Sequence, residues 1–216
     1  MKINKSKLEK GDFDTSIRFA IRNIVKYGDT DIFPFPLETR MLDDFEDRVL
    51  ELFQTVHLEF DKSLNTFPPL NVDCCSTVGY YGFRWATQID PMWNVYFLGL
   101  VVSLAKRIES QRLSHDYVYS YRIALDVEKY SLYSEEINWR KFQSDSLEFC
   151  EKRENIEHVV VCDIADFYTR IYHHRLENAL DRLDPGKNVS SKIKGLVQYL
   201  SLIHISEPTR LGMISY

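Results

Sequence analysis

An Asp-Pro pair at Asp90-Pro91 opens a stretch that stays apolar on almost every side as far as about Ser110. Aspartate caps a helix and proline suits its first position, so the pair and the run together predict a helix. A helix that is apolar all round has no face to give to water and is expected to be buried. Its longest apolar run, Met92 to Ala105, is interrupted by Asn94 and Ser103. It is shorter than the roughly 20 apolar residues that a bilayer span needs. With 44% apolar and 27% charged residues, the 216-residue chain has enough apolar mass for a core and the charge of a soluble protein.

Other elements read from spacing. Thr15 to Tyr27 carries apolar residues at helical intervals, with Asp14, Thr15 or Ser16 as N-cap and Gly28 as stop. Phe33-Pro34-Phe35-Pro36 reads as an extended linker, because proline also restricts its predecessor. Glu38 to Phe60 predicts one long amphipathic helix, with Leu42, Phe45, Val49, Leu52, Phe53, Val56 and Phe60 on its inner face. Residues 64–83 hold Pro68-Pro69, Gly79 and Gly82 and read as irregular. Tyr117 to Leu125 alternates and predicts a strand, Asn138 to Arg153 a helix, and His158 to Cys162 a short buried strand of Val159, Val160 and Val161. Tyr172 to Leu183 predicts a helix facing inward through Leu176, Ala179, Leu180 and Leu183, closed by Asp184-Pro185-Gly186. No repeat or low-complexity segment is visible.

The formal net charge of −5 gives no support to a basic nucleic-acid surface. Cys74, Cys75, Cys150 and Cys162 show no Cys-x-x-Cys and no zinc spacing. Adjacent cysteines rarely bridge each other, so four free thiols in a reducing compartment are expected. The N-terminus lacks the apolar stretch of a signal peptide, and the sequons at Asn4 and Asn188 then carry no weight. The expected location is cytoplasmic.

Residues 200–210 read Leu-Ser-Leu-Ile-His-Ile-Ser-Glu-Pro-Thr-Arg. This string resembles the in-frame translation of the transposase end of a sequencing-library adapter. Leu211, Gly212 and Met213 fill the place of a sample index, and Ile214-Ser215-Tyr216 matches the resumed adapter. Such a segment is excluded from fold reasoning. The gene product is expected to end at Tyr199 in this chain and to have continued in its parent.

The stretch richest in chemistry is Val159-Val-Val-Cys-Asp163-Ile-Ala-Asp166-Phe167-Tyr168-Thr-Arg-Ile-Tyr-His173-His174. A valine-rich strand would deliver Asp163 at its end, a turn would carry Phe167 and Tyr168, and a helix would follow. Phosphoryl and nucleotidyl transfer needs carboxylates on a rigid strand end, where two metal ions clamp the attacking and leaving oxygens. Magnesium takes one or two carboxylates and completes its shell with water and phosphate oxygens. An aspartate after valines also serves as a helix cap or a solvated strand end, and spacing alone leaves both readings open.

The string resembles the first palm motif of reverse transcriptases, closely across residues 158–180. It is loosely similar over Arg84 to Pro91 and Tyr117 to Leu125, which would correspond to fingers. Ile171-Tyr172-His173-His174-Arg175-Leu176 most resembles the bacterial defence-associated members, of abortive-infection and retron-like type. The resemblance implies Asp163 as catalytic metal ligand, the carbonyl of Ile164 completing the Mg2+ shell, and Phe167 and Tyr168 as nucleotide-binding rings. Tyr168 would lie under the incoming sugar and reject a 2′-hydroxyl. Arg122 is the candidate to grip the triphosphate. His173 and His174, at a helix start, are expected to meet backbone or solvent. Implied partners are an RNA template, a DNA product and deoxynucleoside triphosphates, with no membrane; the oligomeric state stays open.

The chain departs from that pattern. No Tyr-x-Asp-Asp occurs, Asp43-Asp44 lies inside the amphipathic helix, and no thumb is present. The 216-residue chain is therefore expected to lack polymerase activity. A nucleotidyl cyclase would want a second acid where Ala165 stands, and Pro185-Gly186-Lys187 lacks the glycine and hydroxyl of a P-loop. The serious rival is a non-catalytic nucleic-acid-binding or interaction subunit of a defence system, with a degenerate palm. The expected class is α+β: a mainly helical region over 1–115, part of the fingers and palm of a right-hand polymerase over 116–199, and adapter over 200–216.

Overall fold

The computed structural model describes residues 3–29, 35–78, 82–153, 155–162, 164 and 171–206. Within them the protein is α+β, with much helix and two small antiparallel hairpins. In chain order the elements are α1 (Lys5–Glu9), α2 (Phe13–Tyr27), α3 (Pro36–Asp44), α4 (Glu46–Leu58), α5 (Phe60–Thr66), β1 (Asn71–Val78), β2 (Gly82–Ile89) and α6 (Pro91–Ser110). They continue with β3 (Ile123–Asp126), β4 (Ser131–Tyr133), α7 (Trp139–Glu151), α8 (His173–Leu183) and α9 (Ser190–Ser206).

Helix α6 is the buried axis that the Asp-Pro pair predicts. Asp90 Oδ1 accepts from the Trp93 N–H at 3.0 Å, while Oδ2 accepts from the Leu70 N–H at 2.9 Å and ties the hairpin base to the helix. Trp93, Val95, Tyr96, Leu100, Val102, Leu104 and Ala105 are buried. Helix α2 lies against α6 through Ile17, Ile21 and Ile24. Gly99 permits the approach, since a Cβ there would meet the Ile17 Cα at 3.3 Å. Leu180 of α8 and Ile193 and Leu196 of α9 enter the same hydrophobic cluster as α2, α4 and α6. Residues on both sides of the expected division near 115 thus share one core.

Several local expectations are corrected. The N-cap of α2 is Asp12, whose Oδ2 accepts from the Thr15 N–H at 3.1 Å and from its hydroxyl at 2.5 Å. Gly11, at φ +74°, turns the chain out of α1 so that the helix starts earlier, with Thr15 and Ser16 buried inside it. The long helix over Glu38–Phe60 is three helices, broken at Phe45 (φ −122°, ψ 29°) and Glu59 (φ −113°, ψ 45°). The breaks re-aim its face. Leu42, Val49, Phe53 and Val56 are buried as their spacing predicts, but Leu50 joins them while Phe45 and Leu52 are exposed. Residues 71–89 pair as a hairpin from Asn71↔Ile89 to Val78↔Gly82, in place of irregular chain over 64–83.

Tyr117 to Leu125 forms a strand only from Ile123, paired with β4. Upstream, side chains satisfy the backbone in place of a ladder: Arg112 donates to the Ser120 and Tyr121 carbonyls, and Arg122 donates to that of Leu113. Val159, Val160 and Val161 form neither a strand nor a buried segment; Val160 and Val161 are 82% and 85% exposed. No described strand lies alongside them, and an extended run gains its order from a neighbour's hydrogen bonds and side chains.

The two later helices stand where the sequence places them. Asn138 caps α7, its Oδ1 accepting from the Lys141 N–H at 3.0 Å. Helix α8 starts at His173 and buries Leu180, with Leu176 left at the surface. Asp184 ends α8 and caps α9: its Oδ2 accepts from the N–H groups of Val189 and Ser190 at 2.8 and 2.9 Å. Helix α9 passes Tyr199 and runs to Ser206; residues 207–216 lie outside the described ones.

Candidate functional site

The segment joining α7 to α8 carries the expected chemistry. Asp163, Phe167 and Tyr168 fall outside the described residues. Their neighbours are described: His158 through Cys162 and Ile164 are exposed, and α8 begins at His173. His173 and His174 are also exposed, with His174 Nδ1 3.3 Å from Glu177 Oε2. Glu177 lies below the usual carboxylate range, chiefly because Gln198 donates to it and secondarily because of His174. Among the described residues no three His, Cys, Asp or Glu side chains gather to hold a metal ion. Cys75, Cys150 and Cys162 carry free thiols.

Arg122 is tied to the C-terminal end of α6. Its Nη1 lies 3.0 Å from Glu109 Oε1, and its side chain is largely covered. Glu109 Oε2 accepts from the Ile123 N–H at 3.0 Å and lies 3.4 Å from Arg112. The cluster fastens the loop between α6 and β3 to the helix. For Arg122 to reach a triphosphate, its pair with Glu109 would have to open.

Two features outside that segment have no motif in the sequence. A cleft of about 900 Å³ opens between α1, the end of α6 and β3. Leu8 and Leu125 form part of its floor, and Lys5, Glu9, Lys106 and Glu128 stand around it. The second is a half-buried histidine packed on the aromatic residues of the helical core. His57 Nδ1 lies 3.1 Å from the Tyr96 hydroxyl, and its ring centroid is 4.2 Å from that of Phe13. Burial, reinforced by the positive charge of Lys192, pushes His57 down to about 4. Burial likewise raises Tyr96 and lowers Lys192. His57 sits on α4 among apolar residues, and nothing in its spacing separates it from an exposed histidine.

A scan against protein-family models and searches of curated proteins and of solved structures find no match to the chain. No helix of the described residues is long and apolar enough to cross a membrane.

Proposed function

We propose that residues 158–180 are the opening strand, turn and helix of an RNA-directed DNA polymerase palm, with Asp163 as its first metal ligand. The observation that carries this reading is the string Val159-Val-Val-Cys-Asp163 followed by Phe167-Tyr168 and a helix, in that order and spacing. Two structural facts support it. Helix α8 starts at His173, as the motif requires, and packs on the core through Leu180. The three exposed valines ahead of it are β-branched and apolar on both faces. That is the composition of a central strand, which is stable only with strands beside it and cover above and below. In this reading the uncovered run is a palm strand whose neighbours belong to the rest of the polymerase.

The donor set fits magnesium in kind. One carboxylate at Asp163 and the neighbouring carbonyl of Ile164 leave room for water and phosphate oxygens, and Ile164 is exposed. When bound, the ion would neutralise charge on the reacting oxygens. The chain's own contribution would be to hold Asp163 at a fixed place and to set Phe167 and Tyr168 against the nucleotide, with Tyr168 under its sugar. Arg122 can serve the triphosphate only if its ion pair with Glu109 opens, so a role there depends on that opening.

The test is primer extension on an RNA template by the parental protein, followed through the gene beyond Tyr199. Asp163→Asn should abolish incorporation, and Tyr168→Ala should admit ribonucleotides. Synthesis that survives Asp163→Asn overturns the metal role. The 216-residue chain itself should incorporate nothing. The net charge of −5 favours a second reading, an interaction subunit with a degenerate palm. A parent lacking an aromatic-x-Asp-Asp downstream would decide for that one.

A further inference from the structure

Helix α7 is amphipathic, yet none of its residues is buried. Its ties to the rest of the molecule lie along one edge, where Phe142 meets the Tyr119 ring at 5.6 Å and Asp145 accepts from the Tyr119 hydroxyl at 2.9 Å. Another edge is open. Arg140, Ser144, Leu147 and Glu151 follow one another at steps of four, three and four residues, which aligns them on one stripe. All four are exposed, Leu147 at 64%, and Trp139 beside them is 62% exposed.

The charges of α7 sort themselves. Lys141 pairs with Asp145 at 2.8 Å, and Glu148 pairs with Lys152 just past the helix end. Among the described residues this leaves Arg140 and Glu151 as the charged side chains of α7 without an ion pair. They have opposite sign and stand at the two ends of the open stripe. On a single copy they are about three turns apart, since 3.6 residues make a turn, and cannot meet. In an antiparallel pair of identical helices related by a two-fold axis, each falls opposite the other.

We propose that α7 docks antiparallel on α7 of a second copy of this chain, with Arg140 paired to Glu151 of the partner subunit twice about a two-fold axis. The axis passes between Asp145 and Ser146, and the same register sets each Leu147 over Ser144 of the partner subunit. Trp139 then lies beside Lys152 of the partner subunit, where an ammonium over an indole face adds attraction. A two-fold contact is self-complementary by construction: every charge pair it makes is made twice, and every charge reversal breaks two. The face is short, with one leucine and one tryptophan per copy. The dimer is therefore expected to dissociate at about 10 μM or weaker, well below the affinity of large apolar interfaces. This inference is independent of the polymerase reading.

Sedimentation velocity on the full chain across a concentration series tests it. Arg140→Glu sets two carboxylates face to face at each contact, and Glu151→Arg sets two guanidinium groups together. Each single variant should weaken association about tenfold or more, with far-UV circular dichroism unchanged because both sites are exposed. Mixing the two variants is the decisive arm. In the mixed dimer one copy carries carboxylates at both 140 and 151 and the other carries guanidiniums at both, so each contact joins opposite charges and the mixture should associate more tightly than either variant alone; a mixture no tighter than the single variants overturns the proposal. The double variant Arg140→Glu/Glu151→Arg restores opposite charges at both contacts, and its association should return to the wild-type level. A wild-type chain that stays monomeric up to about 1 mM overturns the proposal. So does association that ignores the single reversals, or that they weaken without rescue in the double variant.

Discussion

Val95 and Val102 on α6 are sealed in the interior, whereas Val160 and Val161, in a run just as apolar, stand in water. The difference between the two regions is cover. Helix α6 satisfies its own backbone hydrogen bonds, so it needs only side chains around it, and α2, α4, α8 and α9 supply them. The valine segment before Asp163 can satisfy its backbone only through a neighbour, and among the described residues none runs beside it. Apolar content alone therefore does not bury a segment; the partner's geometry does. The first region should behave as a cooperative core and the second as surface.

The largest expected effect lies in the core. Leu100→Ala should destabilise the fold by about 3 kcal/mol, through lost transfer energy and the cavity left behind. Urea unfolding should show the midpoint falling with the slope unchanged. A cost under about 1 kcal/mol would mean that α6 is not the buried axis.

Next comes the joint between α8 and α9. Asp184→Ala should cost about 1–2 kcal/mol, because two covered N–H groups of α9 lose their acceptor. Asp184→Asn keeps an oxygen there and should cost less. Hydrogen exchange at Val189 and Ser190 should rise in both, more in the alanine variant. If neither variant speeds exchange, α9 does not depend on that cap.

The third expectation concerns pH. His57 is held at about 4, against an ordinary value near 6.5, so the fold refuses a proton that the unfolded chain accepts. Stability is then complete above about pH 6.5 and declines as pH falls from there through about 4. Carboxylates add their own dependence at the acid end, so the informative quantity is the difference from a His57→Phe variant. That variant keeps a ring against Phe13 and should lose part of the decline between pH 6.5 and 5. Identical pH profiles for the two proteins would place His57 in contact with solvent.

The smallest effect belongs to the exposed run. Val160→Thr should shift unfolding by no more than about 0.5 kcal/mol, as for an ordinary surface change. A loss of about 1.5 kcal/mol or more would show that the run is covered in solution, and would remove the contrast between the two regions.

What could be read without the fold follows from local rules. The cap at Asp90, the stop at Gly28 and the turn after Leu183 are short-range signals, and α6, the end of α2 and the end of α8 lie where they point. Such signals work because a helix is built from contacts within a few residues. The breaks at Phe45 and Glu59 were hidden, since the apolar spacing runs through them and only the demand of the core for Leu50 over Leu52 interrupts it. The β1–β2 hairpin was hidden because a strand exists by virtue of its partner, and one strand's residues do not name that partner.

The candidate site divides in the same way. The order Asp163, Phe167, Tyr168 and a following helix is a property of the chain, open to anyone reading it. Tertiary structure decided that Arg122 spends its charge on Glu109, that His57 is drawn down by burial beside Lys192, and that α7 presents two charges with no ion pair among the described residues on an open stripe. Those outcomes depend on which surfaces meet. Coulomb and desolvation energies change steeply over a few ångströms, and sequence spacing does not carry distances of that kind between residues far apart in the chain.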